Sequence, residues 1–140
     1  MFSFPIRVYW EDTDAGGVVY HANYLCFLER ARTEWVRSQG IEQQALREQE
    51  DLVMAVREMR IDFIRPARLD DLLDVSVALK ERRSASFLVT QELFRGPECL
   101  LRAEVRIACL HASSFRPRAM PDWLIPDLNR NDASTGDSIR

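Results

Sequence analysis

A single long amphipathic helix is the feature that most constrains the fold of this 140-residue chain. The helical pattern runs from about residue 21 to residue 39, and Gly40 ends it. Its apolar stripe recurs at i, i+4, i+7 and i+11, at Tyr24, Leu28, Ala31 and Trp35. The only other large apolar surface belongs to strands, so the helix has to bury its stripe on a sheet. We therefore expect a sheet curled around one helix, with the first turns, 24–28, buried on all sides.

The remaining periodic segments alternate apolar and polar residues, which is typical of half-buried strands. The first such segment covers about residues 4–10, before the helix. After a short helical segment at about 42–50, four more follow, at about 58–63, 73–80, 87–93 and 101–109. This order predicts an α+β fold made of one strand, one long helix and then an antiparallel meander.

Length and composition bound the remaining possibilities. We expect one domain over residues 1–126 and a polar, disordered tail over 127–140. No apolar run approaches the roughly 20 residues that cross a bilayer, and the N-terminus lacks the features of a signal peptide, which predicts a cytoplasmic location. A net charge of -3 argues against nucleic acid as a partner, because such binding needs a basic surface.

Common catalytic and metal-binding motifs are missing from the sequence. Three cysteines lack zinc-ligand spacing to either histidine, so we expect buried thiols, no metal and no cofactor. What remains is a cluster between the first strand and the long helix: Asp12, Asp14 and His21. Taken alone, these residues fit turn, capping and packing roles as well as catalysis.

The string around this cluster carries a resemblance. It runs from Arg7 through Glu11-Asp12-Thr13-Asp14-Ala15-Gly16-Gly17 and Tyr20-His21-Ala22-Asn23-Tyr24 to Arg32. It closely resembles the signature of the hotdog-fold 4-hydroxybenzoyl-CoA thioesterase family, in particular the bacterial branch associated with the Tol-Pal system. The similarity extends through residues 63–71 and 118–121, and so covers about residues 5–125. It implies a hotdog fold and hydrolysis of acyl-CoA to a free carboxylic acid and CoA.

The resemblance also implies roles for individual residues. Asp14 matches the catalytic carboxylate, which acts either as a nucleophile or as a general base for water. His21 matches a position that is His in this branch and aromatic in relatives, so orienting water or substrate and simple packing both stay open. Tyr20 and Asn23 match the scaffold of the motif, and Asn23 can tie the loop to the helix.

Further substrate contacts follow from the same resemblance. Backbone N–H groups at a helix end polarise the thioester carbonyl in the family, and rough alignment places them near Val53 and Met54. The cations available for the CoA phosphates are Arg65, Arg68, Arg82 and Arg83, and the string from Arg82 through Ser84 is similar to the basic hairpin of the family. Each of these arginines is equally consistent with an ordinary solvated charge at the protein surface.

The resemblance leaves several alternatives open. A non-catalytic module that binds acyl-CoA or acyl carrier protein is the main one, and a hotdog hydratase is another. The family implies a homodimer or a dimer of dimers with sites at the interface, and peripheral association with the inner membrane stays open. The length of the acyl chain does not follow from the sequence.

Overall fold

The computed structural model of the protein describes residues 1–126. Its elements are β1 (Phe2–Arg7), α1 (Asn23–Ser38), α2 (Gln43–Glu50), β2 (Leu52–Phe63), β3 (Leu72–Arg82), β4 (Ser86–Arg95) and β5 (Glu98–His111). β1 stops short of the predicted residue 10 because a 3-10 turn at Trp10–Asp12 takes over. The tail predicted for residues 127–140 lies outside the described residues.

Five strands form one antiparallel sheet in the order β1-β3-β4-β5-β2. The predicted meander is therefore correct for β3, β4 and β5 and wrong for β2, which lies at the far edge and pairs with β5. A period-two pattern says which side chains face the core, but it does not say which strand is the neighbour. Chain order alone suggested the wrong neighbour for β2.

α1 packs on the inner face of this sheet, as the stripe predicts. Buried positions on the helix are Tyr24, Phe27, Leu28, Ala31, Trp35 and Val36. A polar contact fixes the helix to the sheet: the fully buried Gln91 donates from Nε2 to the carbonyl oxygen of Leu28 at 3.1 Å. Each fully buried Leu or Phe contributes about 1.5–3 kcal/mol, so this face of α1 holds the helix firmly in place.

The first turns of α1 are not buried on all sides in the single chain. Leu25 is 41% exposed, and Cys26 is exposed as well, contrary to the expectation of a buried thiol. Leu25 and Cys26 lie on the side of the helix that the five-stranded sheet does not cover. In a single chain, this apolar surface at the start of α1 is exposed to solvent.

β2 extends over twelve residues, twice the length that its alternating pattern predicts. Its first half, from Leu52 to Val56, is a continuous apolar run without alternation, and a β-bulge separates Val56 from Glu58. Val56 and Phe63 are 46% and 51% exposed. A long edge strand with exposed apolar side chains is a surface that native proteins usually cover.

The hydrogen bonds at the start of β2 decide which backbone groups face the open edge. Ala112 donates its N–H to the carbonyl oxygen of Asp51 at 2.9 Å. In an antiparallel pair, alternate residues bond to the neighbour, so Val53 is the next residue of β2 that bonds to β5. The N–H of Met54 consequently points away from β5, toward the open edge.

Candidate active site

A tight turn presents Asp14 at the surface. Asp14 donates its N–H to the carbonyl oxygen of Val18 at 2.9 Å, and Gly17 donates its N–H to that of Asp14 at 3.0 Å. Gly17 has a φ of +81°, a left-handed conformation that favours glycine. The two glycines of the sequence string thus close a turn that leaves the Asp14 side chain exposed. We refer to residues 11–22 as the Asp14 loop.

The Asp14 loop is anchored just beyond the C-terminal end of β2. Val18 forms an isolated antiparallel bridge with Arg68, and Val19 donates its N–H to the carbonyl oxygen of Ala67 at 2.9 Å. Ala67 in turn donates its N–H to the buried hydroxyl oxygen of Tyr24 at 2.9 Å. Burial raises the pKa of the Tyr24 hydroxyl, which keeps it neutral. Loop, helix and the end of β2 are therefore held together at one place.

The two carboxylates of the loop have opposite environments. Asp12 is buried, and its oxygens accept from the N–H of Tyr9 at 2.8 Å and from Nδ2 of Asn23 at 3.1 Å. Asp14 is exposed, and its Oδ1 accepts from the N–H of Gly16 at 2.8 Å. No hydrogen bond described for residues 1–126 uses the second oxygen of Asp14. Asp12 is a structural brace, and Asp14 is the carboxylate that faces solvent.

The residues before α1 bring two aromatic rings and two backbone donors to the same end of the helix. Tyr20 and His21 are exposed, with ring centroids 4.6 Å apart. α1 begins at Asn23, and in the described part of the chain no backbone carbonyl accepts from the N–H of His21 or Ala22. Unsatisfied N–H groups and the helix dipole make such an end favourable for negative charge. Asn23, the first residue of the helix, donates from Nδ2 to Asp12 of the loop at 3.1 Å.

Val53 and Met54 lie in strand β2, so the expectation that they form a helix end is wrong. They follow Asp51, which has a φ of 52° and ends α2. The Asp51 carboxylate accepts from the hydroxyl and the N–H of Ser113, at 2.8 and 2.9 Å, and the hydroxyl contact is the main reason that its pKa is lowered. These hydrogen bonds between Asp51 and Ser113 fix the start of β2 relative to β5. Met54 is the residue of the pair whose N–H is open.

The Arg82 guanidinium binds backbone carbonyl groups of its own chain. Its Nε donates to the carbonyl oxygen of Ile125 at 2.8 Å, and its Nη2 donates to those of Pro121 at 2.8 Å and Leu124 at 3.0 Å. Three carbonyl partners hold the guanidinium against the segment after β5. The structure therefore does not support Arg82 as a phosphate ligand.

The other predicted cations remain at the surface. Arg65 is exposed and forms an ion pair with Glu98 at 3.2 Å. Arg83 is exposed beside Glu81, Arg68 lies at the anchor of the Asp14 loop, and Ser84 is exposed in the hairpin before β4. Arg68 is the one that the structure brings next to the Asp14 loop, while Arg83 and Ser84 belong to a different turn.

A cavity of about 350 Å³ opens between α1 and the first half of β2. Its apolar lining consists of Trp35, Val36, Met54, Ala55, Val56, Phe87 and Ile107. The polar side chains on its wall are Glu29, Arg32, Thr33 and Gln43. We call it the α1–β2 cavity. Its size falls within the range of small-ligand pockets.

Within residues 1–126, no cluster of three or more His, Cys, Asp or Glu side chains has the arrangement that a metal ion needs. None of the helices described there is both long and apolar enough to span a bilayer.

Comparison with known proteins decides the family. The model of the thioesterase-like superfamily matches residues 8–128. The chain belongs to this superfamily. Among curated relatives, the acyl-CoA thioesterase YbgC of Haemophilus influenzae is 48% identical over 86% of this chain and 88% of its own length. The acyl-CoA thioester hydrolase YbgC of Escherichia coli O157:H7 is 42% identical, over 93% of this chain and 97% of the relative.

Solved structures agree with the fold of this thioesterase-like chain. A probable thioesterase from Bartonella henselae has a TM-score of 0.81 at 38% identity, over 85% of this chain and 98% of that chain. The 1,4-dihydroxy-2-naphthoyl-CoA thioesterase Slr0204 from Synechocystis has a TM-score of 0.80 at 25% identity, over 87% and 90%. The hotdog fold expected from the resemblance is confirmed.

Sequence reasoning on this thioesterase-like chain missed the cavity and its polar residues. Arg32 and Gln91 are 59 residues apart in the chain and hydrogen bonded in the structure, so no local pattern pairs them. One signal was available, because Arg32 follows Leu28 by four residues and so lies on the buried side of the helix. An arginine on the buried side of a helix requires a polar partner or a functional explanation.

Proposed function

We propose that the protein is an acyl-CoA thioesterase that uses Asp14 as its catalytic carboxylate. The observation that carries this proposal is an exposed carboxylate with one unbonded oxygen, in a hydrogen-bonded loop that leads directly to the open N–H groups at the start of α1. The relatives named as acyl-CoA thioesterases support the reaction class. A binding module without chemistry would not need this arrangement.

Asp14 can act by two routes that have the same products. As a nucleophile, its free oxygen attacks the thioester carbonyl carbon, the C–S bond breaks, CoA leaves as a thiolate that takes up a proton, and water hydrolyses the anhydride. As a general base, it takes a proton from water while the resulting hydroxide attacks the same carbon; the C–S bond then breaks, and the departing CoA thiolate takes up the proton. In both routes the carbonyl oxygen gains negative charge, and backbone N–H groups stabilise that charge.

The catalytic carboxylate and the cavity do not meet within one chain. The Asp14 loop is anchored beside Tyr24, whereas the cavity begins on the helix at Glu29 and includes Arg32 and Trp35. Tyr24 and Arg32 are separated by about 12 Å along the axis, at about 1.5 Å per residue. A short acyl group in this cavity therefore has its thioester far from the Asp14 of the same chain.

A second copy of the chain resolves this separation. Two β2 edge strands that pair antiparallel around a two-fold axis place the start of one strand opposite the end of the other. The start of β2 lines the cavity, and the segment that follows the end of β2 anchors the Asp14 loop. Each site would then combine Asp14 and Arg68 of one chain with Met54 and the α1–β2 cavity of the other. The exposed Leu25 would be covered in the same assembly.

The CoA moiety lies outside the cavity in this proposal. Arg68, beside the Asp14 loop, and the exposed Arg83 are the cations that we assign to its phosphates. The same contacts would suit the phosphopantetheine of an acyl carrier protein, which is the second carrier that we consider. His21 and Tyr20 line the approach to Asp14 and orient water or the pantetheine arm.

Release of thiol from a panel of short, long and aromatic acyl-CoAs tests the function. We expect hydrolysis of at least one class, with activity that rises with enzyme concentration and stops with Asp14→Asn. Binding of the panel without thiol release would instead favour the non-catalytic module. Addition of water to an enoyl-CoA without release of CoA would favour a hydratase.

A further inference from the structure

Arg32 is the one arginine of α1 that lines the α1–β2 cavity. It is partly buried, and its Nη1 donates to Oε1 of Gln91 at 3.1 Å. Gln91 is fully buried, and its amide nitrogen donates a hydrogen bond to the carbonyl oxygen of Leu28. The orientation of the Gln91 side chain is thus fixed, and Arg32 is held by a rigid neutral acceptor rather than by a carboxylate.

The partly buried position of Arg32 is unfavourable for the positive charge of its guanidinium. Burial lowers the pKa of the Arg32 guanidinium, with Glu29 acting in the opposite direction. No ion pair within 4 Å is described for Arg32, whereas Arg37, in the last turn of α1, pairs with Glu34 at 2.6 Å. A guanidinium has five N–H donors, and one of them is used here. The other N–H groups of Arg32 are accessible from the cavity, so an acceptor supplied by the substrate can bind to them.

The charges around the cavity indicate which acceptor fits. Glu29 lies on the same wall as Arg32, so the formal charges of the lining cancel. A carboxylate at the far end of the acyl group would meet Arg32 and also be repelled by Glu29. A neutral hydroxyl or keto oxygen meets the open donors of Arg32 without adding charge. The rest of the wall is apolar, which suits the hydrocarbon part of such a group.

We propose that Arg32 is a specificity-determining residue that selects short acyl groups carrying a neutral oxygen acceptor, a hydroxyl or a keto oxygen, beyond the thioester. The proposal rests on the proposed thioesterase function and on the cavity as the acyl site. Its physical basis is asymmetric: a site built to hydrogen-bond an oxygen rejects the analogue that lacks it far more strongly than an apolar pocket rejects an extra methyl group.

Pairs of acyl-CoAs that differ by an oxygen in place of a methyl group test this directly. We would measure kcat/KM for 3-hydroxybutanoyl-CoA against 3-methylbutanoyl-CoA, and for 4-oxopentanoyl-CoA against 4-methylpentanoyl-CoA. Because the two pairs place the oxygen at different depths, at least one pair should show a preference of about tenfold or more for the oxygen-bearing member. Glutaryl-CoA, which ends in a carboxylate, should be a poorer substrate than the preferred neutral one.

Arg32→Met then assigns the preference to its cause. The ratio of kcat/KM within the preferred pair should fall by about tenfold, and Arg37→Met, on the same helix and outside the cavity, should leave that ratio unchanged. Thermal melts on the same samples separate a change in specificity from a change in fold. Equal hydrolysis within both pairs by the unmodified protein would overturn the proposal, and so would a ratio that survives Arg32→Met.

The same data keep this proposal distinct from the one on which it rests. Absence of thiol release from every acyl-CoA would contradict the thioesterase function itself. Thiol release with a preference for the methyl-bearing members, or for glutaryl-CoA, would leave the thioesterase function intact and contradict the role of Arg32.

Discussion

The Asp14 loop and the α1–β2 cavity meet opposite ends of the same strand and differ in almost every other respect. The loop is short and polar; its turn is closed by bonds between residues close in sequence, such as Gly17 to Asp14, and its end is anchored at Ala67 and Arg68. The cavity is assembled from α1, α2, β2, β4 and β5, and Arg32 on its wall bonds to Gln91 of β4, 59 residues away in the chain. In the proposed function the loop supplies the reactive carboxylate and the cavity binds the acyl group. In that proposal a site is complete only where two chains meet.

Asp14→Asn removes the chemistry and leaves the cavity intact, so its effect on turnover should be the largest. The amide is nearly isosteric with the carboxylate but is neither basic nor nucleophilic, and we expect kcat to fall about a hundredfold to ten-thousandfold. The exposed side chain contributes little to folding, so the change in free energy of unfolding should stay within about 0.5 kcal/mol. Steady-state thiol release and a thermal melt on one preparation check both. Turnover above about a third of the unmodified value would remove Asp14 from the catalytic role.

Charges placed on the open edge of β2, outside the cavity, prevent the pairing that brings the two regions together. Phe63→Lys combined with Ile64→Lys replaces two exposed apolar side chains at the end of this edge, and lysine on an edge strand prevents pairing. We expect a monomer by light scattering and a loss of turnover of about a hundredfold, because the reacting groups are no longer held together.

Leu72→Lys is the matched control for that variant. Leu72 is 49% exposed on β3, away from the open edge of β2, so mass and turnover should not change. A monomeric double variant with full activity would show that one chain contains a complete site. Light scattering of the unmodified protein also distinguishes a dimer from a dimer of dimers.

The two carboxylates of the loop predict opposite outcomes for stability. Asp12→Ala removes the acceptor of the Tyr9 N–H and of the Asn23 amide in a buried position. The free energy of unfolding should fall by about 1–3 kcal/mol, several times more than for Asp14→Asn. Urea titrations of both variants give the comparison. A similar, small loss for both would mean that the buried brace does not hold the loop.

The sequence predicts what is local and misses what is assembled over distance. The helical stripe follows from neighbours a few residues apart, and the structure agrees with it. The position of β2 at the far edge and the capture of Arg82 by carbonyls 39 to 43 residues along the chain depend on topology. The sequence alone does not distinguish a basic residue beside a turn that binds a phosphate from one that binds backbone carbonyls of its own chain.

The chain terminus gives the smallest expected effect. A chain that ends at Pro126 should melt within a few degrees of the full length, because the polar composition after it offers little apolar surface to bury. A chain that ends at Met120 loses the fully buried Leu124 and Ile125, which should cost about 3–6 kcal/mol. A large loss already at Pro126 would place part of the tail in the fold.

Complementation between two inactive chains tests the divided site most directly. Asp14→Asn lacks the carboxylate, and Thr33→Trp places an indole in the α1–β2 cavity, so each variant alone should be nearly inactive. In a dimer of one of each, the intact Asp14 of one chain faces the intact cavity of the other. After the two are unfolded together and refolded as an equal mixture, we predict about a quarter of the unmodified activity, since half of the dimers are mixed and each has one working site. A mixture that stays as inactive as its components would contradict a site shared between chains.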